Sequence, residues 1–326
     1  MVGGVTMSNQ EIELAADGDL VAAAKRRRIL FALPGEARPT ESLRRAYAIA
    51  LLLDADLFIE RVLPEPKQLG PFFARMSGLD TYRVPDMAQS PEIATQAWIH
   101  EALGDMLPEQ QVDVQVGPFL DTVARQAVDL RPDLIVIPPQ PGAFGNLVIK
   151  LAHIADVPVL VARAATSHEE IVVATDLAET DTPVLRTAAE FASFLHAHVV
   201  ALHSMAPIPP GPMLDPNWSL PFTLESEQYA MRGLRLERAA AKLAIDVETV
   251  VACEANPVDA ILGEARTRDA DLVIVGSHPR GWLGRLWHRN VAARVINQAD
   301  RSVLVMPLHS PLERSRVDKG RSTASH

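Results

Sequence analysis

Residues 275–290, VGSHPRGWLGRLWHRN, hold the densest chemistry in the chain. An apolar run ends at Gly276, and glycine at the end of a buried strand lets backbone N–H groups approach an anion closely. The stretch then runs into Pro279, and proline has no N–H to offer. Arg280, Arg285 and Arg289, with His278 and His288, alternate with Trp282 and Trp287. Cations beside aromatic rings can hold a nucleotide or another anion. The same pattern fits a solvated basic face on a helix starting near Leu283, with Trp287 turned into the core. Both readings stay open.

Other reactive residues are sparser. Thr175 and Asp176 close the apolar run Ile171–Ala174. Asp176 can cap the next helix or face a ligand. His196 and His198, with His203 nearby, invite a zinc reading, but no cysteine or further clustered ligand accompanies them, so no metal is assigned. No Gly-x-Ser-x-Gly elbow or paired-carboxylate signature stands out, and no catalytic residue is assigned.

These residues need elements to position them, and the chain writes its elements twice. RILFALPGEARPTESLRRAYAIALLLDADLFIERV (28–62) aligns without gaps on EIVVATDLAETDTPVLRTAAEFASFLHAHVVALHS (170–204). Ile29, Leu43 and Leu53 fall on Ile171, Leu185 and Leu195 at one constant shift. Likewise DLIVIPPQP (133–141) matches DLVIVGSHP (271–279), and DVPVLVAR (156–163) matches DRSVLVMP (300–307). A tandem duplication follows, joined near 162–170. Each half alternates short apolar runs with helical spacing such as Ala46, Ile49, Ala50 and Leu53. That alternation predicts a parallel, doubly wound sheet, whose ligands bind beyond the carboxyl ends of the strands. The proline-rich loop 205–222 is expected to cover the sheet edge or the mouth of the site.

The totals set outer limits. At 326 residues the chain can form two domains, and 48% hydrophobic with 22% charged residues is a globular composition. A net charge of −10 argues against general nucleic-acid binding. The single cysteine, Cys253, cannot form an internal disulfide, which points to the cytoplasm, and it reads as a small buried residue. No run is long enough to span a membrane. Residues 1–27 read as a mobile leader, without the compact apolar core of a secretory signal, and 309–326 as a disordered tail.

The strand-one Asp176, the strand-four Gly276 and the closing SVLVMP (302–307), set in a duplicated α/β pattern, resemble the universal stress protein family over about residues 28–307. The resemblance implies two tandem five-stranded parallel-sheet domains, adenine nucleotide alpha hydrolase-like, packed as an intramolecular pseudo-dimer. Their natural mutual contact is the pair of closing strands at 157–161 and 301–305. ATP-binding members carry Gly-x2-Gly-x9-Gly-(Ser/Thr) after strand four. Here Thr175 and Asp176 stand at the adenosine-contacting pair, and Gly276 takes the first glycine position, followed by Ser277 and His278. Pro279 replaces the second glycine, and Arg289 and Asn290, followed by Val291, replace the final Gly-Ser. Asn290 and Arg289 would then have to act by side chain.

In the first half Pro34 replaces the aspartate, Pro138 and Pro141 replace the leading glycines, and Gly145-Asn146 keeps a final glycine after a shortened spacer. The expectation is a domain at 28–164 that does not bind nucleotide, and a domain at 168–308 that retains a partial site for ATP or another adenine nucleotide. The implied function is a stress-response or regulatory binding protein, not an enzyme beyond slow ATP hydrolysis. The alternative is an interaction module that has lost its nucleotide and binds a protein partner. An adenylate-handling enzyme is a weaker third option. A further homodimer is left open.

Overall fold

The computed structural model describes residues 26–65, 90–104, 107, 111–142, 144–164, 169–177, 182–207, 220–243, 245–254, 256–277 and 291–308. The expected leader up to residue 25, the tail, the basic loop 278–290 and residues 208–219 of the proline-rich loop lie outside them.

The first half runs β1 (Arg27–Pro34), α1 (Thr40–Leu52), β2 (Ala55–Leu63), α2 (Pro91–Leu103), β3 (Val112–Val116), α3 (Phe119–Leu130), β4 (Leu134–Ile137), α4 (Gly145–Ala155) and β5 (Val159–Val161). The second repeats the order as β6 (Glu170–Ala174), α5 (Thr182–Leu195), β7 (His198–Met205), α6 (Leu220–Ala240), β8 (Val247–Cys253), α7 (Pro257–Thr267), β9 (Leu272–Ser277), α8 (Val291–Gln298) and β10 (Ser302–Pro307). Ile29–Leu33, Leu134–Ile137 and Val172–Val173 are fully or almost fully buried, because helices cover both faces of a parallel sheet. Helix starts follow local chemistry. Ser90 accepts from the Ile93 N–H at 3.3 Å and Asn256 from the Val258 N–H at 3.2 Å, each followed by proline at the first helical position.

All ten strands form one sheet, ordered β3-β2-β1-β4-β5-β10-β9-β6-β7-β8. Every pairing is parallel except β5 with β10. In that antiparallel pair Val161, Leu160 and Val159 oppose Val303, Leu304 and Val305. Leu304 is the repeat of Leu160, so a pseudo-twofold axis passes through a residue facing its own copy. The register confirms the sequence alignment. Ile29 pairs Leu134 as Ile171 pairs Leu272. Left-handed residues recur at matching places: Asp54 and His196 at φ 47° and 54°, Arg131 and Asp269 both at 50°, Gly35 and Leu177 at 70° and 61°.

Two apolar layers flank the sheet, and each runs through both halves. One packs α1 and α5 through Leu43, Ala46, Leu185 and Ala188, and the other packs α4 and α8 through Val148, Leu151, Val295 and Ile296. Polar ties cross the axis too. Arg45 of α1 forms a largely buried ion pair with Asp271 just before β9, one of its two contacts being 2.9 Å. The Arg163 guanidinium donates to the carbonyls of Arg301 at 2.9 Å and Ile296 at 3.2 Å. Cys253, expected to be buried, is exposed instead. It ends β8, and among the described residues no further strand lies beyond β8 in the sheet.

Candidate functional site

In the second half β6 has β7 on one side and β9 on the other, so the chain order reverses beside β6. The crevice beyond the carboxyl ends of β6 and β9 is the place where such sheets bind ligands. Of the eight residues assigned from sequence, Thr175, Asp176, Gly276, Ser277 and Val291 fall among the described residues. His278, Arg289 and Asn290 lie outside them.

Thr175 follows β6 and is 7% exposed. Its N–H donates to the Leu202 carbonyl at 2.9 Å, and its hydroxyl accepts from the Leu177 N–H at 3.0 Å. The second bond closes a short turn that holds Leu177 left-handed, a conformation costing a leucine about 1–2 kcal/mol. The turn leaves Asp176 exposed at the crevice. α5 does not start until Thr182, so Asp176 is too far back to be its N-cap.

Gly276 and Ser277 face opposite ways, as successive strand residues must. A Cβ on Gly276 would lie 2.4 Å from Leu308 Cδ1 and 3.2 Å from Val184 Cγ2. Leu308 is 2% exposed, so the space beside Gly276 is already filled by a fixed apolar side chain. Packing alone therefore accounts for this glycine. Ser277 turns to the other layer, where its hydroxyl lies 3.2 Å from His153 Nε2 of α4. Val291 opens α8, partly buried against the second core layer. The structure thus gathers Thr175, Asp176 and Gly276 at the crevice, while Ser277 serves the join between halves.

Sequence reading missed the role of His203. It is buried on β7, with Nδ1 2.9 Å from the Thr175 carbonyl and Nε2 2.9 Å from an Arg232 guanidinium nitrogen on α6. A carbonyl only accepts and a guanidinium only donates, so the ring is the neutral tautomer with its proton on Nδ1. Burial holds its pKa below the ordinary range, and the Arg232 charge adds to this against the Thr175 bond and Asp176. Both nitrogens are engaged, so His203 is not a zinc ligand. His196 and His198 sit exposed at the opposite end of β7. Instead His203 fixes the Thr175 turn that presents Asp176. The place of His203 at the end of an apolar run was visible in sequence, but its partner Arg232 lies beyond the proline-rich loop, on the next helix.

The first-half crevice is built differently. The repeat of His203 is Arg61, whose guanidinium donates to the Gly35 carbonyl at 3.1 Å and lies 5.3 Å from the Trp98 ring centre. Gly145, which survives from a phosphate motif in the sequence reading, has another use. A Cβ there would lie 2.3 Å from the Ala293 carbonyl oxygen, so only glycine allows α4 and α8 to meet this closely. Its N–H, at the start of α4, donates to Asn297 Oδ1 of α8 at 2.7 Å. Asn297 is the repeat of His153, by the same shift that relates Leu304 to Leu160. Each helix therefore sends the same position across the axis, to Gly145 in one direction and to Ser277 in the other.

Comparison with known proteins agrees with this picture. Residues 168–307 match the model of the universal stress protein family. Universal stress proteins of Mycobacterium tuberculosis and Mycobacterium bovis are each 29% identical over 201 residues, 59% of this chain and 62% of theirs. The match thus spans less than two thirds of those relatives. A functionally unknown Pseudomonas aeruginosa PAO1 protein shares the fold at 17% identity and TM-score 0.55, over 87% of this chain and 93% of its own. A solved structure from Pseudomonas aeruginosa UCBPP-PA14 does so at the same identity and score, over 87% of this chain and 94% of its own. The second half of the chain, residues 168–307, thus matches the universal stress protein family, and the α/β fold of the whole is shared with the Pseudomonas aeruginosa structures.

Proposed function

We propose that the protein is a stress-response or regulatory binding protein whose second half takes an adenine nucleotide, while its first half serves as a built-in structural partner. One observation carries this reading: Asp176 stands exposed at the switch point of the sheet, on a turn held by Thr175 and His203. In the proposed mode Thr175 and Asp176 meet the adenosine part, and Gly276, His278 and Asn290 meet the phosphates. The fit is partial, because Leu308 and Val184 fill the side-chain space at Gly276. Backbone contact at Gly276 survives this, but affinity is expected to be low. No carboxylate pair or positioned general base accompanies the site among the described residues, so nothing beyond slow ATP hydrolysis is proposed. The proposed setting is the cytoplasm. Among the described residues no helix is long and apolar enough to cross a membrane.

Calorimetric titration with ATP tests the proposal. Heat of binding at high micromolar ATP, lost in Asp176→Ala, is the expected result. No heat from the folded wild-type protein overturns nucleotide binding.

A second reading has its own support. Gly276 is explained by Leu308 and Ser277 by His153, so both serve packing without any ligand. On that reading the fold is an interaction module for a protein partner, and ATP binding is absent in wild type and variant alike.

A further inference from the structure

Glu60 lies in the middle of β2 with no exposed surface, and neither carboxylate oxygen has a hydrogen-bond partner. Alternation along the strand places it with Phe58 and Val62 on the face covered by α3, where Val123, Ala124 and Ala127 pack. Its strand neighbours are Ala32 on β1 and Asp113 on β3. An ionised carboxylate cannot rest among these groups without hydrogen bonds, so the side chain must be the neutral acid. The fold does not require a carboxyl here, because the repeat of Glu60 in the second half is the buried Leu202.

We propose that Glu60 is a proton-gated packing switch in the first half: its carboxyl is neutral while α3 lies on β2, and loss of the proton loosens α3 from the sheet. The charged groups around it do not offset ionisation. Asp113 on β3 is of like charge and opposes it. Arg125 on α3 favours it, but is exposed and makes no hydrogen bond to Glu60. On β1 the cation on this face is Arg28, whose guanidinium donates to the Leu130 carbonyl, while its backbone N–H donates to Asp133. Asp121 and Asp129 occupy exposed positions of α3. Arg61 points to the opposite face of the sheet.

Burial, aided by Asp113, pushes the Glu60 pKa up to about 8. An acid whose pKa is higher folded than unfolded keeps a proton on folding that the unfolded chain has released. Its stabilising contribution is full below the ordinary glutamate range. It is lost progressively as pH rises, until about 8. Across that window the folding equilibrium constant falls about tenfold per pH unit from this one group.

Urea unfolding of the full-length protein at pH 5.5, 7 and 9 provides the test, comparing wild type with Glu60→Gln, which mimics the neutral acid, and Glu60→Leu, which copies Leu202. Both variants are expected to gain on wild type by about tenfold per pH unit up to about pH 8. Hydrogen exchange in α3 should accelerate between pH 7 and 9 in wild type beyond its rate in the variants. A pH-independent offset between wild type and variants overturns the proposal. If neither variant folds, carbon NMR of side-chain carboxyls in the wild type decides: one glutamate titrating near pH 8 supports it, and none above the ordinary range overturns it.

Discussion

The two halves share a backbone that includes three matching pairs of left-handed residues, yet they fill equivalent places with opposite choices. Beyond strand four the second half has Gly276 with Leu308 and Val184 packed against it. The first half has Pro138 with Ala164 and Ser42 at the matching positions. A large side chain at the end of the closing strand accompanies a missing one at the end of strand four, and the reverse. On strand two, Glu60 and Arg61 are both buried where the second half has Leu202 and His203. At the switch point of the first half, Pro34 stands in place of Asp176. The sheet is common to both copies, while the first carries the buried ionisable pair Glu60 and Arg61 where its twin has Leu202 and His203.

Substitutions can break or sharpen that contrast. The largest effect is expected from Gly145→Val, whose Cβ would run into the backbone of Ala293. No side-chain shift relieves a backbone clash, so a loss of about 3 kcal/mol or more in urea unfolding is expected, with the halves separating. Asp271→Ala leaves Arg45 without its carboxylate across the axis, at a cost of about 3 kcal/mol. The repeat of this pair is Thr187 with Asp133, and Thr187→Ala should cost far less, so the two variants compared show which half depends on the tie. Gly276→Ala drives a methyl into Leu308 and should cost about 2 kcal/mol in wild type. In a Leu308→Ala background the same change should be close to neutral, and an unchanged cost would remove Leu308 as the reason for the glycine. The smallest effect belongs to Asn297→Ala, which uncaps α4 and should lower stability by about 1 kcal/mol in the same assay.

Much of the fold was written in periodicity. The gapless alignment of the two halves, the apolar strands and the helical spacing after each gave the repeated alternation of a parallel, doubly wound sheet, and the family resemblance implied the contact between closing strands. Local signals of that kind survive in sequence because each residue's burial is set by near neighbours. The site was less legible. The residues that decide it meet only in three dimensions: Leu308 beside Gly276, His153 beside Ser277, Arg232 beside His203. Gly145 shows the limit most clearly. Its motif position suggested a phosphate, and only the approach of Ala293 from the other half gives the glycine its reason. Cys253 misled for a similar cause, since an apolar strand does not announce that it lies at the edge of a sheet.

The antiparallel seam between β5 and β10 settles a matter of stoichiometry. A half standing alone would expose that strand as an open edge and find a partner only at sufficient concentration. Joined in one chain, the two edges meet at a high effective concentration that dilution cannot lower. Each molecule therefore carries this seam within itself, and its two unlike crevices, one with Asp176 and one with Pro34, always come in a fixed one-to-one ratio.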